Sequence, residues 1–214
     1  MSFERKNLLL YAVSGANGTE KKQFFADLES ALKGGITCFQ LREKHIPFDE
    51  FLAEAKEVKK LCSKYSVPLI INDNIEIALL SGADGVHVGQ DDMNIVEARK
   101  IAGERLVIGV SAHNVEEALL AEKNGADYLG SGAVFGSQTK SNVRTLPIET
   151  LKNICASVKI PVVAIGGINK DNMMQLAGSR IDGVALVSAI FGATDIETEC
   201  RMLKKLAEKL LYTE

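Results

Sequence analysis

Gln40, Arg42 and Lys44 alternate along one short stretch, so an extended backbone turns all three side chains the same way. Two cations and a carboxamide on one face suit an oxygen-rich anion. Asp73 and Asp92 each close a different apolar run, and acids beside such cations have two readings. They form plain salt bridges, or they hold Mg2+, which takes one or two carboxylates and fills its remaining positions with phosphate oxygens and water. Asp91 is a third acid beside them and reads as well as a solvated turn residue. A second cluster offers different chemistry. Gly166-Gly167-Ile168 lets backbone N–H groups approach a ligand with no Cβ in the way. Val187-Ser188 stands where the final helical segment is expected to open, and N–H groups and the helix dipole favour an anion there. One Gly-Gly pair alone would serve only a tight turn; the two loops together point to phosphate. Two anion sites imply two phosphorylated substrates, or one with phosphate at both ends. The cation side suits a diphosphate and the Gly/Ser side a monophosphate.

The elements that must position these residues alternate down the whole chain. Strands are expected at 8–14, 38–42, 68–73, 85–89, 106–111, 128–132, 161–166 and 183–188, short runs of which several are rich in β-branched residues. Amphipathic stretches lie between them. Phe48, Phe51, Leu52, Ala55, Val58 and Cys62 recur at helical spacing, and Asn114 with Glu117 makes a cap for a helix. Turns built on Gly34-Gly35, Gly82-Ala83-Asp84-Gly85, Gly125-Ala126-Asp127 and Asp182-Gly183 precede strands, and the recurring Gly-Ala-Asp forms a modest internal repeat. Strict alternation implies a parallel sheet. Eight units, each a strand and a helix, favour a closed (β/α)8 TIM barrel over an open doubly wound sheet. The open sheet should carry G-x-G-x-x-G after its first strand, where this chain reads Ser14-Gly15-Ala16-Asn17-Gly18. In such a barrel the active site lies at the C-terminal strand ends, and the loops after strands seven and eight bind phosphate. That rule adds Asn72, Ser111 and the run Ser137-Gln138-Thr139-Lys140 to the candidates.

Length and composition narrow the classes further. The 214 residues suit one domain, 1–214. A net charge of −3 gives no field to recruit nucleic acid or an anionic membrane. The apolar run at 8–13 is too short to span a bilayer and reads as a strand, not a signal peptide. Cys38, Cys62, Cys155 and Cys200 form no C-x-x-C pair and read as reduced, mostly buried thiols. A cytoplasmic location is expected.

In order and at strand ends, these motifs resemble the thiamine phosphate synthase family over essentially the whole chain. The shared features are Gln40-Leu41-Arg42-Glu43-Lys44, Asn72-Asp73, Gly85 to Asp92, Ser111, a T-x-T-K-like loop at Ser137 to Lys140, Gly166-Gly167-Ile168 and Val187-Ser188. Ala133 and Gly136 stand where the family often has proline, and Ser137 replaces its first threonine. The resemblance implies a transferase that joins a hydroxymethylpyrimidine diphosphate to a thiazole phosphate, carboxylated in its natural form, and releases pyrophosphate, with carbon dioxide from the carboxylated form. It implies Mg2+ on Asp73 and Asp92, with Arg42, Lys44, Lys140 and Ser111 as the catalytic groups. Gln40, Leu41, Glu43 and Asn72 join those four around the pyrimidine diphosphate. Ser137, Gln138, Thr139, Gly167, Val187 and Ser188 would hold the thiazole phosphate. The expected partners are small phosphorylated substrates, with no nucleic acid and no membrane; a homo-oligomer is left open.

Three rivals share the fold. A thiazole tautomerase would need only the phosphate loops and a histidine such as His113. A non-catalytic barrel would bind thiazole or thiamine phosphate without turnover. A sugar-phosphate epimerase would want a histidine-rich metal site. His87, inside a strand between Val86 and Val88, reads as a satisfied barrel residue; His113 reads as structural and His45 as exposed loop.

Overall fold

The computed structural model describes residues 3–15, 20–44, 46–90, 92–136 and 145–212. Strands β1 (Leu10–Val13), β2 (Cys38–Leu41), β3 (Leu69–Asn72), β4 (Gly85–Val88), β5 (Val107–Ser111), β6 (Tyr128–Gly132), β7 (Val162–Ile165) and β8 (Gly183–Leu186) form a closed barrel in chain order. All neighbours are parallel, and β8 returns to β1 with Leu10 opposite Val184 and Ala12 opposite Leu186. The (β/α)8 barrel expected from the alternation is therefore the fold, and most strands are one or two residues shorter at an end than the apolar runs suggest.

The helices are α1 (Lys21–Gly34), α2 (Phe48–Lys64), α3 (Ile75–Ser81), α4 (Ile95–Ala102), α5 (Val115–Lys123), α6 (Ile148–Ser157), α7 (Ser188–Phe191) and α8 (Ile196–Tyr212). They do not follow the strands one for one. Only a 3-10 turn, Met173–Leu176, joins β7 to β8. Asn169 and Asn172 side chains take the N–H groups of Asp171 and Asn169 there, and such local bonds compete with helix. A second correction concerns the end of the chain. Ser188 opens the single turn α7, and the long final helix starts separately at Ile196, with the Asp195 carboxylate accepting from Thr198 N–H. The cap expected at Asn114 is present: its side chain accepts from Glu117 N–H at 2.8 Å.

Both faces of each strand are covered, which is why the runs read as continuously apolar. Leu10, Ala12, Phe39, Leu41, Leu69 and Ile71 face the helices, against stripes such as Phe51, Ala55, Val58 and Cys62 of α2. The inner face packs a separate core of Leu8, Tyr11, Val13, Cys38, Ile70, Tyr128, Val163 and Ala185. All four cysteines are free, and burial raises their thiols, to about 12 for Cys62 and Cys200. No described helix is long and apolar enough to cross a membrane.

The turns repeated in the sequence do one job four times. Thr37, Asp84, Asp127 and Asp182 stand just before β2, β4, β6 and β8. Each gives a side-chain oxygen to an N–H at the start of the preceding strand: Leu10, Leu69, Ile108 and Val162, at 2.7–2.9 Å. Each also sends its own N–H to that same residue's carbonyl at 2.8 Å. The acids add a cation each, Lys59 on Asp84, Arg99 on Asp127 and Arg5 on Asp182. These reciprocal links close the N-terminal end of the barrel in pairs of strands.

Candidate active site

The C-terminal strand ends surround a cavity of about 620 Å³. Its wall is set by the two-residue period of the strands. The positions that face inward at the last turn of each strand carry Gln40, Asn72, His87, Ser111 and Ile165, and the outward positions between them are taken by the helix-facing core. Of the residues expected from sequence, Gln40, Arg42, Asn72, Ser111, Gly167, Val187 and Ser188 line this one cavity.

The cation side is built on β2. Ser14 fixes the end of that strand, its hydroxyl oxygen accepting from Arg42 N–H at 2.7 Å. Among the described residues no acceptor closes on the Arg42 guanidinium, which lines the cavity with its five donors. Lys44 pairs with Asp73. Asp73 in turn lies against Asp92, whose Oδ2 accepts from Gly89 N–H at 2.8 Å. Burial holds the Asp73 carboxyl above its ordinary range; the Lys44 ammonium lowers it, and the Asp92 carboxylate raises it. Asp73 also has a backbone φ of 62°, a left-handed conformation uncommon outside glycine and concentrated at functional sites. The two acids that sequence placed on neighbouring strands therefore do meet, and one of them is also in a salt bridge. Among the described residues no third His, Cys, Asp or Glu joins them as a metal ligand.

Not every residue of the β2 run reaches the cavity. Leu41 is fully buried among the helix-facing side chains, as the strand period requires one residue after Gln40. Glu43 sits near Arg42 and Glu54, and its carboxyl is raised by burial. Neither side chain belongs to the cavity wall, and the same holds for Lys44, Asp73 and Asp92.

The phosphate side is the loop after β7. Gly166 and Gly167 both have left-handed φ, 99° and 65°, and a Cβ on Gly167 would stand 2.6 Å from the Phe135 carbonyl oxygen. The expected reason for glycine at 167 was room for a ligand; the nearer obstacle is the backbone after β6. Asn172 ties the loop down, donating to the Gly167 carbonyl at 2.9 Å. Ser137, Gln138, Thr139 and Lys140 lie outside the described residues, as do His45 and Asp91.

The floor holds residues that the strand-end rule passed over. Tyr11 and Tyr128 point into the barrel beneath the cavity, and their hydroxyls are 2.9 Å apart. Gln40 Nε2 donates to Tyr11 Oη at 2.8 Å, and His87 reaches Tyr128 Oη at 3.1 Å and Ser111 Oγ at 3.0 Å. His87 is thus the satisfied barrel histidine expected. Above the floor, Asn72 is 8% exposed, and its Nδ2 has no hydrogen-bond partner among the described residues. A buried donor left this way costs about 1–3 kcal/mol, which a bound acceptor would return. His113 also lines the cavity, with Nδ1 3.0 Å from the Glu117 carboxylate.

Residues 10–190 match the family model described as thiamine monophosphate synthase. The chain belongs to that family. A thiamine-phosphate synthase of Ruminiclostridium cellulolyticum is 48% identical over 202 residues, 94% of this chain and 93% of its own. That of Clostridium acetobutylicum is 44% identical over 200 residues, 94% and 95% of the two chains. A solved thiamine phosphate pyrophosphorylase from Pyrococcus furiosus superposes with a TM-score of 0.88 at 40% identity, covering 97% of this chain and 98% of that one. Membership of the thiamine monophosphate synthase family agrees with the resemblance read from the strand-end motifs.

Proposed function

We propose that this chain is a thiamine-phosphate synthase, a transferase that joins a pyrimidinylmethyl diphosphate to a thiazole phosphate and releases pyrophosphate. The observation that carries the reading is the division of one cavity into two unlike sides. Arg42 lines one side, with Lys44, Asp73 and Asp92 just outside the wall next to it, and the Gly166-Gly167 loop with Val187-Ser188 lines the other. Near-full-length relatives named for this activity support it.

The chemistry asks mainly for charge stabilisation. The bond between the pyrimidine methylene and the diphosphate oxygen breaks, and the aminopyrimidine spreads the positive charge left on carbon. The thiazole nitrogen then attacks that carbon. Arg42 and Lys44 meet the negative charge that grows on the departing diphosphate, an interaction stronger in the transition state than before it. Lys140 would add a third cation there. Asn72 Nδ2 and Ser111 orient the heterocycle, while the Gly167 and Ser188 backbone and Ser137, Gln138 and Thr139 receive the thiazole phosphate. No proton relay to a leaving group is needed, in keeping with a site rich in cations.

The residues fit Mg2+. Asp73 and Asp92 present two carboxylates to each other, and hard oxygen ligands in that number are what Mg2+ takes before phosphate and water complete it. When bound, the ion would neutralise diphosphate charge that Arg42 and Lys44 alone leave partly exposed. We read the protein as a cytoplasmic enzyme of one domain, 1–214, that acts on small phosphorylated substrates; a homo-oligomer remains compatible with the chain.

The test is pyrophosphate release by purified protein from the pyrimidine diphosphate, with and without thiazole phosphate and with and without Mg2+. Release that needs all three supports the reading. Isomerisation of the thiazole without pyrophosphate would assign the tautomerase instead, and tight binding without turnover a sensor.

A further inference from the structure

Five side chains from five strands form one hydrogen-bonded line across the barrel floor. It runs from Gln40 on β2 through Tyr11 on β1, Tyr128 on β6 and His87 on β4 to Ser111 on β5. Gln40 and Ser111, its two ends, both line the cavity. The centre of the line is Tyr128, which is fully buried and bonded to a phenol on one side and an imidazole on the other.

The line has a direction. At its Gln40 end the bond is an amide N–H donated to Tyr11 Oη, which makes that oxygen an acceptor. The Tyr11 proton then has two acceptors in reach, the Tyr128 oxygen at 2.9 Å and the sulfur of Cys38. Oxygen is much the better acceptor, so Tyr11 donates to Tyr128. Tyr128, having accepted, spends its own proton on His87 Nδ1. A neutral imidazole whose Nδ1 accepts carries its proton on Nε2, which donates to Ser111 Oγ. The Ser111 proton is then left to point at a ligand. Burial holds both phenols well above their ordinary range, so they remain protonated and able to donate.

The space for this arrangement is made by glycine on the facing strands. A Cβ on Gly109 would stand 2.4 Å from Tyr128 Oη and 2.5 Å from His87 Nδ1, and one on Gly130 would stand 3.0 Å from His87 Cε1. Two inward positions of β5 and β6 are therefore kept empty where the phenol and the imidazole meet. The Tyr128 ring is held independently, stacked on Phe3 with centroids 5.9 Å apart.

We infer that Tyr128 is a positioning residue: it fixes His87 as the Nε2–H tautomer, and so sets which atoms of the cavity floor donate and which accept toward the heterocycle. One of the two Nε2 protons of Gln40 goes to Tyr11, which orients the carboxamide and leaves Oε1 as an acceptor for a ligand. Ser111 and Asn72 Nδ2 supply donors. This polarity fits a heterocycle that offers an amino N–H and unprotonated ring nitrogens. It opposes the analogue in which the amino group is replaced by oxo and the adjacent ring nitrogen carries hydrogen. The ligand half of the inference rests on the synthase reading; the tautomer half does not.

The experiment begins with ring-nitrogen NMR of His87 in the ligand-free, full-length protein, at a pH where free imidazole is neutral, with a His87→Gln variant for assignment. The expected result is a protonated Nε2 and an acceptor Nδ1 in wild type, shifting toward a mixture in Tyr128→Phe. A proton on Nδ1 in the wild type overturns the inference with no variant needed. The second measurement is pyrophosphate release from the 4-amino and the 4-oxo pyrimidine diphosphates. Tyr128→Phe should narrow the preference in kcat/KM for the amino substrate about tenfold, the scale of one hydrogen bond. A changed tautomer with an unchanged preference removes the ligand half. Failure of the synthase reading looks different: neither pyrimidine releases pyrophosphate while the tautomer is as expected. The ligand half then falls with that reading and the positioning role of Tyr128 stands.

Discussion

At the N-terminal end of the barrel, Asp84, Asp127 and Asp182 each accept a backbone N–H and meet a cation. At the C-terminal end, Asp73 and Asp92 face each other, and Lys44 meets Asp73. The side chain is the same at both ends. What differs is the company it is given. The lower acids finish the hydrogen bonding of strands that would otherwise start with an unpaired N–H, so their charge is matched inside the fold. The upper pair concentrates negative charge, partly buried, beside a cavity where a cation and a diphosphate can balance it. The fold spends satisfied acids on closing the barrel and leaves opposed ones where ligands arrive, in line with the division of labour between the two ends of such barrels.

The sharpest way to break this comparison is Asp92→Asn. Asparagine keeps an oxygen to accept from Gly89 N–H, so the loop should hold, but the second carboxylate is gone. Pyrophosphate release should fall on the order of a hundredfold, with the Mg2+ needed for half-maximal rate rising. Unchanged Mg2+ dependence would return Asp92 to the class of structural acids. Asp84→Ala should do the reverse. It removes two part-buried hydrogen bonds, one to Leu69 N–H and one to Lys59, and should lower stability by about 2 kcal/mol in denaturant titration, with turnover within about twofold of wild type. Because Thr37 fills the corresponding place before β2, Asp84→Thr should recover part of the loss.

Asp73→Asn carries the smallest expected effect on the fold. The Asp73 carboxyl is raised, chiefly by burial, so it binds a proton at higher pH in the folded chain than in the unfolded one. Its contribution to stability is then full below the unfolded value and is lost as pH rises through the folded one. Above that window the wild type carries an ionised group that the fold disfavours, and asparagine does not. The variant should melt about 2 °C higher near neutral pH, while the difference between the two proteins shrinks on acidification through the carboxylate range. A lower melting point at neutral pH would show that the Lys44 bond outweighs burial and the neighbouring acid.

Much of the fold was legible because strand and helix periods are local. The apolar runs at 38–42, 68–73, 85–89 and 106–111 announced strands, and with the C-terminal-end rule they delivered Gln40, Arg42, Asn72 and Ser111 to the cavity. The crossover before β8 was less so. Met173 and Leu176 have helical spacing, but the Asn169 and Asn172 side chains take the backbone N–H groups and leave a single 3-10 turn. Leu41 and Glu43 share the motif with Gln40 and Arg42, but Leu41 faces the helices and Glu43 lies beside Arg42. Tyr11 and Tyr128 were passed over because large aromatic residues at inward strand positions look like core, which they also are. The one signal available was small against large: Gly109 sits at the inward position against Tyr128, and Gly130 at the one against His87.

The sequence by itself determined the order of strands, the side to which each residue points and the chemical types gathered at each strand end, since these depend on spacing along one segment. It also carried the repeated turn residues before β4, β6 and β8. Only the tertiary structure decided what those types do to one another. Closure of the barrel brings Tyr11 and Tyr128, 117 positions apart, to hydrogen-bonding distance, and it sets Asp73 against Asp92 while giving Asp84 a strand N–H. Hydrogen bonds and carboxylate repulsion act over a few ångströms of space, whatever the distance along the chain, so a residue's role was settled only when its neighbours were.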